Sequence, residues 1–420
     1  MRNLTMNFLN ETSKENTSFD LAVIGGGAAG FFGAITTAEM NPDLSIVVLE
    51  KTTKLLSKVR VSGGGRCNVT HHCFEPTPLS KHYPRGSKEL KSLFRKFQAK
   101  DVVEWFESKG VKLKTEADGR IFPVSNNSQT IIDCFLQEAE RHQIQIKLQS
   151  EVKKISPEKN GFTLDLNAER ISARKILIAT GGYNNLQSYD WLKPMPIITP
   201  IPSLFTFNDS DKKFKDLMGV AVQQAEVKIA GTKFSETGPL LITHWGLSGP
   251  AVIKLSAWAA EYLHEKHYTF KALVNWTGSV TEEGLRKDLQ ELNIHHGKQK
   301  IQNNPLYKIP SRLWARLCEL AEIDDNKTWA ELPRKNMNRL VEFIIRCPFE
   351  IKGKTTFKEE FVTCGGVDLK SIDLETMESK LVKEIYFAGE VLNIDGETGG
   401  FNFQSAWTTA YVAAKAISSI

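Results

Sequence analysis

The sequence predicts an α/β fold in two segments, wrapped around an inserted β region and a helical region. Three observations predict it. A strand–turn–helix–strand unit opens the chain at Phe19 to Glu50, a second set of glycine turns returns near its end, and the texture between them changes to short strands and then to helices. At 420 residues the chain is too long for one simple core. Its 41% hydrophobic and 25% charged content are those of a globular protein.

The opening unit carries the most information. Phe19-Asp-Leu-Ala-Val-Ile24 is an apolar run suited to a strand buried on both faces. Gly25-Gly-Gly27-Ala28-Ala29-Gly30 follows at once and fits G-x-G-x-x-G. The first glycine permits the tight turn, the second lets a pyrophosphate approach the backbone, and the third lets helix and strand pack closely. Phe31 to Met40 continues as an apolar helix whose first amides point at the phosphates. Ser45 to Leu49 is the next strand. Glu50 ends it about 20 residues past the last glycine, where a carboxylate accepts from an adenosine ribose. In register, these features mark a dinucleotide site. Leu21 to Ala38 carries no charge and has the length of a membrane span, but its consecutive glycines favour the turn. Met1 to Ser18 is polar, without an apolar signal core, and residues 1–17 read as a flexible lead-in to a cytoplasmic protein.

Next comes Lys58-Val-Arg-Val-Ser62-Gly-Gly64-Gly65-Arg66-Cys67-Asn68, a flexible loop able to lie against a flat ligand or a phosphate. Arg66 offers a bidentate fork, and Asn68 both a donor and an acceptor. Cysteines 67, 73, 134, 318, 347 and 364 are scattered and suggest no disulfide framework. Cys67, His71, His72 and Cys73 would crowd a tetrahedral zinc site and lack a second ligand pair, so no metal is expected.

Net charge is +5, too small to indicate nucleic acid by itself, and a small-molecule substrate is expected, without nucleic acid or membrane. The distribution is uneven, since Glu75 and Glu89 are the only acids between Lys51 and Lys100. That stretch is either a solvated basic face or an RNA-facing surface.

Ser87 to Gly110 reads as two amphipathic helices and Thr130 to His142 as another. In a dinucleotide-binding domain, Val152 falls where backbone groups meet the adenine edge. Lys175 to Ile178 is a buried strand, and its Ala179-Thr180-Gly181-Gly182 ending lets the chain pass close to a pyrophosphate. Prolines 194, 196, 200 and 202 mark a boundary. Short strands between Leu204 and Val274 then read as a small β domain, and Thr281 to Arg346 as a helical subdomain. His244, in Thr243-His-Trp-Gly-Leu-Ser-Gly-Pro250, sits where a loop presents a side chain; the alternative is a structural histidine at a strand end.

Ile385-Tyr-Phe-Ala-Gly389-Glu390 is a strand ending in a glycine and an acid. It leads through Asp395 to Thr398-Gly399-Gly400-Phe401-Asn402, which opens a helix expected at Ala406 to Ile417. Such an ending suits the ribityl chain and ring of a flavin, with Glu390 at the ribityl hydroxyls. The helix amides would face the pyrimidine edge, where charge develops on reduction.

Val23 to Gly30, Val61 to Thr70, Gly119 to Val124, Thr243 to Pro250 and Thr363 to Gln404 together resemble the bacterial NAD(P)/FAD-dependent oxidoreductase family of flavoproteins. Its described relatives include an aminoacetone oxidase and a bile-acid 3-dehydro-Δ4,6-reductase. This chain departs from the family pattern at Phe401, where Tyr is usual, and at Asn393, where Asp is common.

The resemblance implies a Rossmann-like FAD-binding domain in two parts, 18–194 and 356–420. An inserted substrate domain would span 195–355, its β-barrel-like part at about 195–275 and 347–355 and its helical part at about 281–346. FAD would run from Gly25 to Glu50 and Val152, past Gly27 to Gly30 and Arg66, with its ring between Ser62 to Asn68 and Gly399 to Gln404. Lys51 and Lys58 belong to the same cofactor set. The implied activity is hydride or electron-pair transfer between flavin and a small organic substrate, with His244 handling the proton and NAD(P)H as transient reductant. No second glycine fingerprint appears in the middle of the chain. Two other readings stay open: a flavin-dependent tRNA-modifying enzyme, and a non-enzymatic redox sensor reporting through Cys67.

Overall fold

A computed structural model describes residues 18–355 and 362–419; the expected lead-in, residues 1–17, lies outside them. Ser18–Ile24 lies inside a seven-stranded sheet, paired in parallel with Ile46–Leu49 on one side and Arg170–Ile178 on the other. Leu21, Ala22 and Val23 are fully buried, as a strand covered on both faces requires. Ile385–Phe387, from the far end of the chain, adds to Arg170–Ile178 in parallel, so both halves of the sequence complete one sheet.

The helix Ala28–Met40 is buried from Ala29 to Ala38, because Phe401–Ser418 packs along it. The two approach closely over small residues: a Cβ on Gly33 would stand 3.6 Å from Ala410 Cβ and 2.6 Å from a Leu177 methyl. Phe32, Phe106, Phe135 and Trp407 fill the space between these helices and the amphipathic helices Ala99–Ser108 and Gln129–Arg141.

At the edge of this core the Lys109 ammonium, its side chain 15% exposed, bridges Glu39 and Glu138, the second at 3.6 Å. Lys109→Met is expected to lower stability by about 3 kcal/mol, because it leaves two half-buried carboxylates facing each other. Chemical denaturation should show Glu138→Gln recovering part of that loss in the double variant.

The inserted region is a closed six-stranded antiparallel barrel. Its strands run in the order Thr206–Asp209, Gly246–Ser248, Ser235–Ile242, Ala221–Ile229, Thr269–Asn275 and Cys347–Thr355. The helices Glu282–His295, Ser311–Leu320 and Arg334–Ile345 share the barrel's apolar cluster, with Trp276, Trp314 and Trp329 buried in it. Ile197–Ser203 and Val362–Val367 pair antiparallel as the two connections between barrel and sheet. Among the described residues no helix is long and apolar enough to cross a membrane.

Two local readings change. Ser57–Gly65 is not an open loop but a helix broken at Ser62, after which Gly63 and Gly64 turn left-handed at φ 58° and 68°. The last helix begins at Phe401, five residues before the expected Ala406, because Gly400 caps it at φ 91°.

Candidate functional site

The glycine turn meets the sheet where Arg170–Ile178 ends. A Cβ on Gly25 would lie 2.4 Å from the Ala179 carbonyl oxygen and 3.0 Å from Thr180 Cα, and one on Gly30 would lie 1.9 Å from the Gly25 oxygen. Gly389 closes the other side, where its added Cβ would stand 2.9 Å from Ala29. The fingerprint, Ala179 to Gly181 and Gly389 therefore share one rim.

At one end of this rim Glu50 accepts from the Gly26 N–H at 3.0 Å and from the Thr52 N–H and hydroxyl at 2.8 Å. These bonds leave one lone-pair direction for a ribose hydroxyl. Ser150 N–H bonds the Glu50 carbonyl, which brings buried Val152 beside it, and the Lys51 ammonium lies 5.4 Å from the Tyr183 ring. In the middle, Lys58 pairs with Glu390 at 2.5 Å, and Glu390 also accepts from the Thr363 N–H at 2.8 Å.

At the other end the chain after Arg66 runs against the start of the last helix. A Cβ on Gly400 would come within 2.8 Å of the Thr70 backbone, Thr70 bonds Gln404 at 2.5 Å, and Trp407 donates to the Val69 carbonyl at 3.0 Å. Arg66 pairs with Glu116 at 2.6 Å and lies 4.0 Å over the Phe122 ring. Asn402 holds Gly396 through both its amide atoms, fixing the turn through Thr398.

FAD fits these surroundings. An added Cβ on Gly27, Gly64, Gly65 or Gly181 would meet no atom within 4 Å, so the backbone there is open to a flat or phosphate-bearing guest. Asn68 Oδ1 and Thr363 Oγ1 are buried without a partner. The helices Ala28–Met40 and Phe401–Ser418 both start on this rim, without an acid in either first turn.

Three expected residues do other work. The Asp395 carboxylate is fully buried and bonded to Arg85 and Ser203, so it does not face the cradle. Cys67 is fully buried, and burial pushes its thiol up to about 12, which keeps it protonated and inert rather than a reporting thiol. His244 lies against Trp245 and lines a cleft with Asp209, Lys212 and Phe214 at the Ile242 end of Ser235–Ile242. The opposite end of that strand, at Glu236, is the one that reaches the cradle. Six residues at about 3.4 Å each put His244 roughly 20 Å away.

Between cradle and barrel lies a cluster that sequence reasoning missed. Glu397, 7% exposed, accepts from the Trp258 indole at 2.7 Å and is paired with His82 Nδ1 at 3.2 Å; Lys254 stands 3.7 Å off. Burial opposes the charge on Glu397, but the His82 and Trp258 bonds and Lys254 outweigh it and hold the carboxyl below its ordinary value. Burial and the Glu397 charge push half-buried Glu236 the other way, upward. His82 stacks on Phe401 at 4.1 Å, and His71 stacks on the same ring at 4.9 Å. Burial lowers His71, whose Nε2 lies 3.1 Å from the Asp118 carbonyl.

Because the folded value of Glu397 is depressed, its contribution to stability is present at neutral pH and is lost as pH falls through that value. Trp258 fluorescence is expected to report an acid-side step, below the ordinary glutamate range, that the Glu397→Gln protein lacks.

Residues 19–416 match the family model described as the HI0933-like protein Rossmann domain. A ribosomal RNA dihydrouridine synthase of Haemophilus influenzae is 30% identical, over 94% of this chain and 98% of its own length. A 3-dehydro-bile acid delta(4,6)-reductase of Clostridium scindens is 26% identical, over 94% and 98%. The 3-ketosteroid-Δ4-(5α)-dehydrogenase of Rhodococcus jostii RHA1 shares the fold at TM-score 0.51 and 11% identity, over 97% of this chain and 98% of that one.

Proposed function

We propose, for a chain that belongs to the HI0933-like Rossmann-domain family, that it is an FAD-dependent oxidoreductase which reduces a carbon–carbon double bond conjugated to a carbonyl. The observation that carries this reading is the cluster around Glu397. There the last turn of the cradle, the barrel helix Pro250–Trp258 and His82 converge on one buried carboxylate. The relatives support the bond type. Dihydrouridine is uridine with two hydrogens added across a double bond conjugated to the ring carbonyl, and the Δ4,6 system of a 3-dehydro bile acid is conjugated in the same sense.

When bound, FAD supplies the electron pair as a hydride. The chain's own part is positional and electrostatic. Gly27 to Gly30 and Glu50 hold the adenosine diphosphate end, and Glu390 and Lys58 hold the middle. The first amides of Phe401–Ser418 face the ring edge where charge accumulates. Lys254, about one-third exposed at the junction, stands 3.7 Å from Glu397. NAD(P)H is the proposed reductant, entering from the substrate side.

A second reading, uridine within RNA, is favoured by two observations: the name of the Haemophilus relative, and the surface beside His82. Lys81, Lys88 and Arg95 are exposed and carry no ion pair among the described residues. Exposed basic side chains of this kind offer phosphate contacts.

The test is to reduce FAD-loaded protein anaerobically and follow recovery of the flavin absorbance on adding 2-cyclohexen-1-one or unmodified ribosomal RNA. Recovery with either supports the reductase; recovery with RNA alone, weakening steeply with salt, selects the second reading. A flavin that neither acceptor oxidises removes the proposal.

A further inference from the structure

We propose that His82 is the acid that protonates the substrate's α-carbon, and that Glu397 is the residue that positions it; this rests on the double-bond reduction proposed above. His82 is held from three directions. Its Nδ1 lies 3.2 Å from Glu397, its ring is stacked on Phe401 at 4.1 Å and 10°, and its carbonyl accepts from the Glu397 N–H at 2.9 Å. The imidazole plane is thereby fixed one residue from Gly400, the cap of the helix that faces the flavin ring.

The other ring nitrogen, Nε2, has no hydrogen-bond partner among the described residues, and 32% of the side chain is exposed. Glu397 takes three donors or cations and stays ionised, so Nδ1–H of a charged imidazole has an anion to face while Nε2–H is free to leave. Lys254 from the helix Pro250–Trp258, Glu236 from the barrel strand Ser235–Ile242 and His71 from the short strand Thr70–His71 are the other titratable groups facing this site. Lys254 stands 3.7 Å from Glu397, and His71 lies with its Nε2 3.1 Å from the Asp118 carbonyl and its Nδ1 buried without a partner.

The step balances. FAD in its two-electron-reduced form would supply a hydride for the β-carbon; the π electrons would then move toward the carbonyl, and the α-carbon would take the proton of His82 Nε2. The products are the saturated carbonyl compound, oxidised flavin and a neutral imidazole, which the exposed side of the ring re-protonates from solvent.

The test uses FAD-loaded full-length protein and 2-methyl-2-cyclohexen-1-one, whose α-carbon becomes a stereocentre on protonation. Wild type is expected to give one enantiomer. His82→Gln should retain FAD affinity but reoxidise at least about 100-fold more slowly, with near-racemic product, and added imidazole should rescue His82→Gly. If His82→Gln does not fold, His82→Phe keeps the stack on Phe401 and removes the proton.

Retention of both rate and enantiomeric excess in either variant overturns the role of His82 and leaves the reductase standing. If wild type does not turn over, the reductase reading has failed for this probe, and alkylation by phenacyl bromide decides the rest. Preferential modification of His82, slowed about 10-fold in Glu397→Gln, supports the geometry; modification that spares His82 overturns it.

Discussion

Gly30→Val protein is expected to purify colourless, with its affinity for FAD reduced at least about 100-fold, equivalent to about 3 kcal/mol. A Cβ at position 30 would stand 1.9 Å from the Gly25 oxygen and 3.2 Å from its carbonyl carbon. Backbone atoms cannot rotate out of the way, so the helix must lift from the turn. It has little room to shift, because it already packs so closely that an added Cβ at Gly33 would stand 2.6 Å from a Leu177 methyl. Lifting it carries the free amides of residues 27 to 29 away from the pyrophosphate and uncovers apolar surface, so the melting temperature of the flavin-free protein should fall as well.

Gly27 provides the contrast. Its φ of −96° suits any residue, and an added Cβ meets nothing within 4 Å. Gly27→Ala should therefore melt like wild type without flavin, yet bind FAD poorly, because its methyl occupies the space the phosphate needs. Equal loss of stability in both variants would show that the turn is structural only.

The contrast also explains what the sequence disclosed. The fingerprint is local: a buried apolar run, glycines at fixed offsets and an acid about 20 residues on are all set by backbone geometry within one βαβ unit. The same holds for Gly389-Glu390 and Gly399-Gly400. Phe401-Asn-Phe-Gln404 after two glycines resembles loop in sequence, while what starts the last helix there is a contact between Gly400 and Thr70 far back in the chain.

The Glu397 cluster is non-local throughout. His82, Trp258 and Glu397 come from three separate segments, each in or beside a turn without periodic pattern, and only the packing of barrel on cradle brings them together. Glycines follow His244 in the sequence, a signal that locates loops but not the end of the barrel they occupy. Asp395 sits in a glycine-rich run that reads as cofactor-binding, and no feature of its neighbours announces Arg85.

That pair carries the second large effect. Arg85 and Asp395, with side chains 9% and 0% exposed, form a bidentate pair, and Arg85 also donates to the Ala257 carbonyl at 2.6 Å. Ser203 donates to Asp395 at 2.8 Å. One guanidinium thus ties the chain before the barrel to the chain after it, and both to the helix Pro250–Trp258. Burial raises the Asp395 carboxyl above its ordinary value against the pull of Arg85, a sign that desolvation is not fully repaid. The pair as a whole is therefore worth little, whereas breaking it is costly. Asp395→Ala and Arg85→Met should each lose about 3–5 kcal/mol, since each strands a buried charge. The double variant Arg85→Met/Asp395→Leu should recover most of that loss in equilibrium unfolding. It should not recover function, because the barrel is no longer pinned against the cradle and the bonds from Trp258 and His82 to Glu397 need that placement. A double variant as active as wild type would mean that apolar packing alone sets the angle between barrel and cradle.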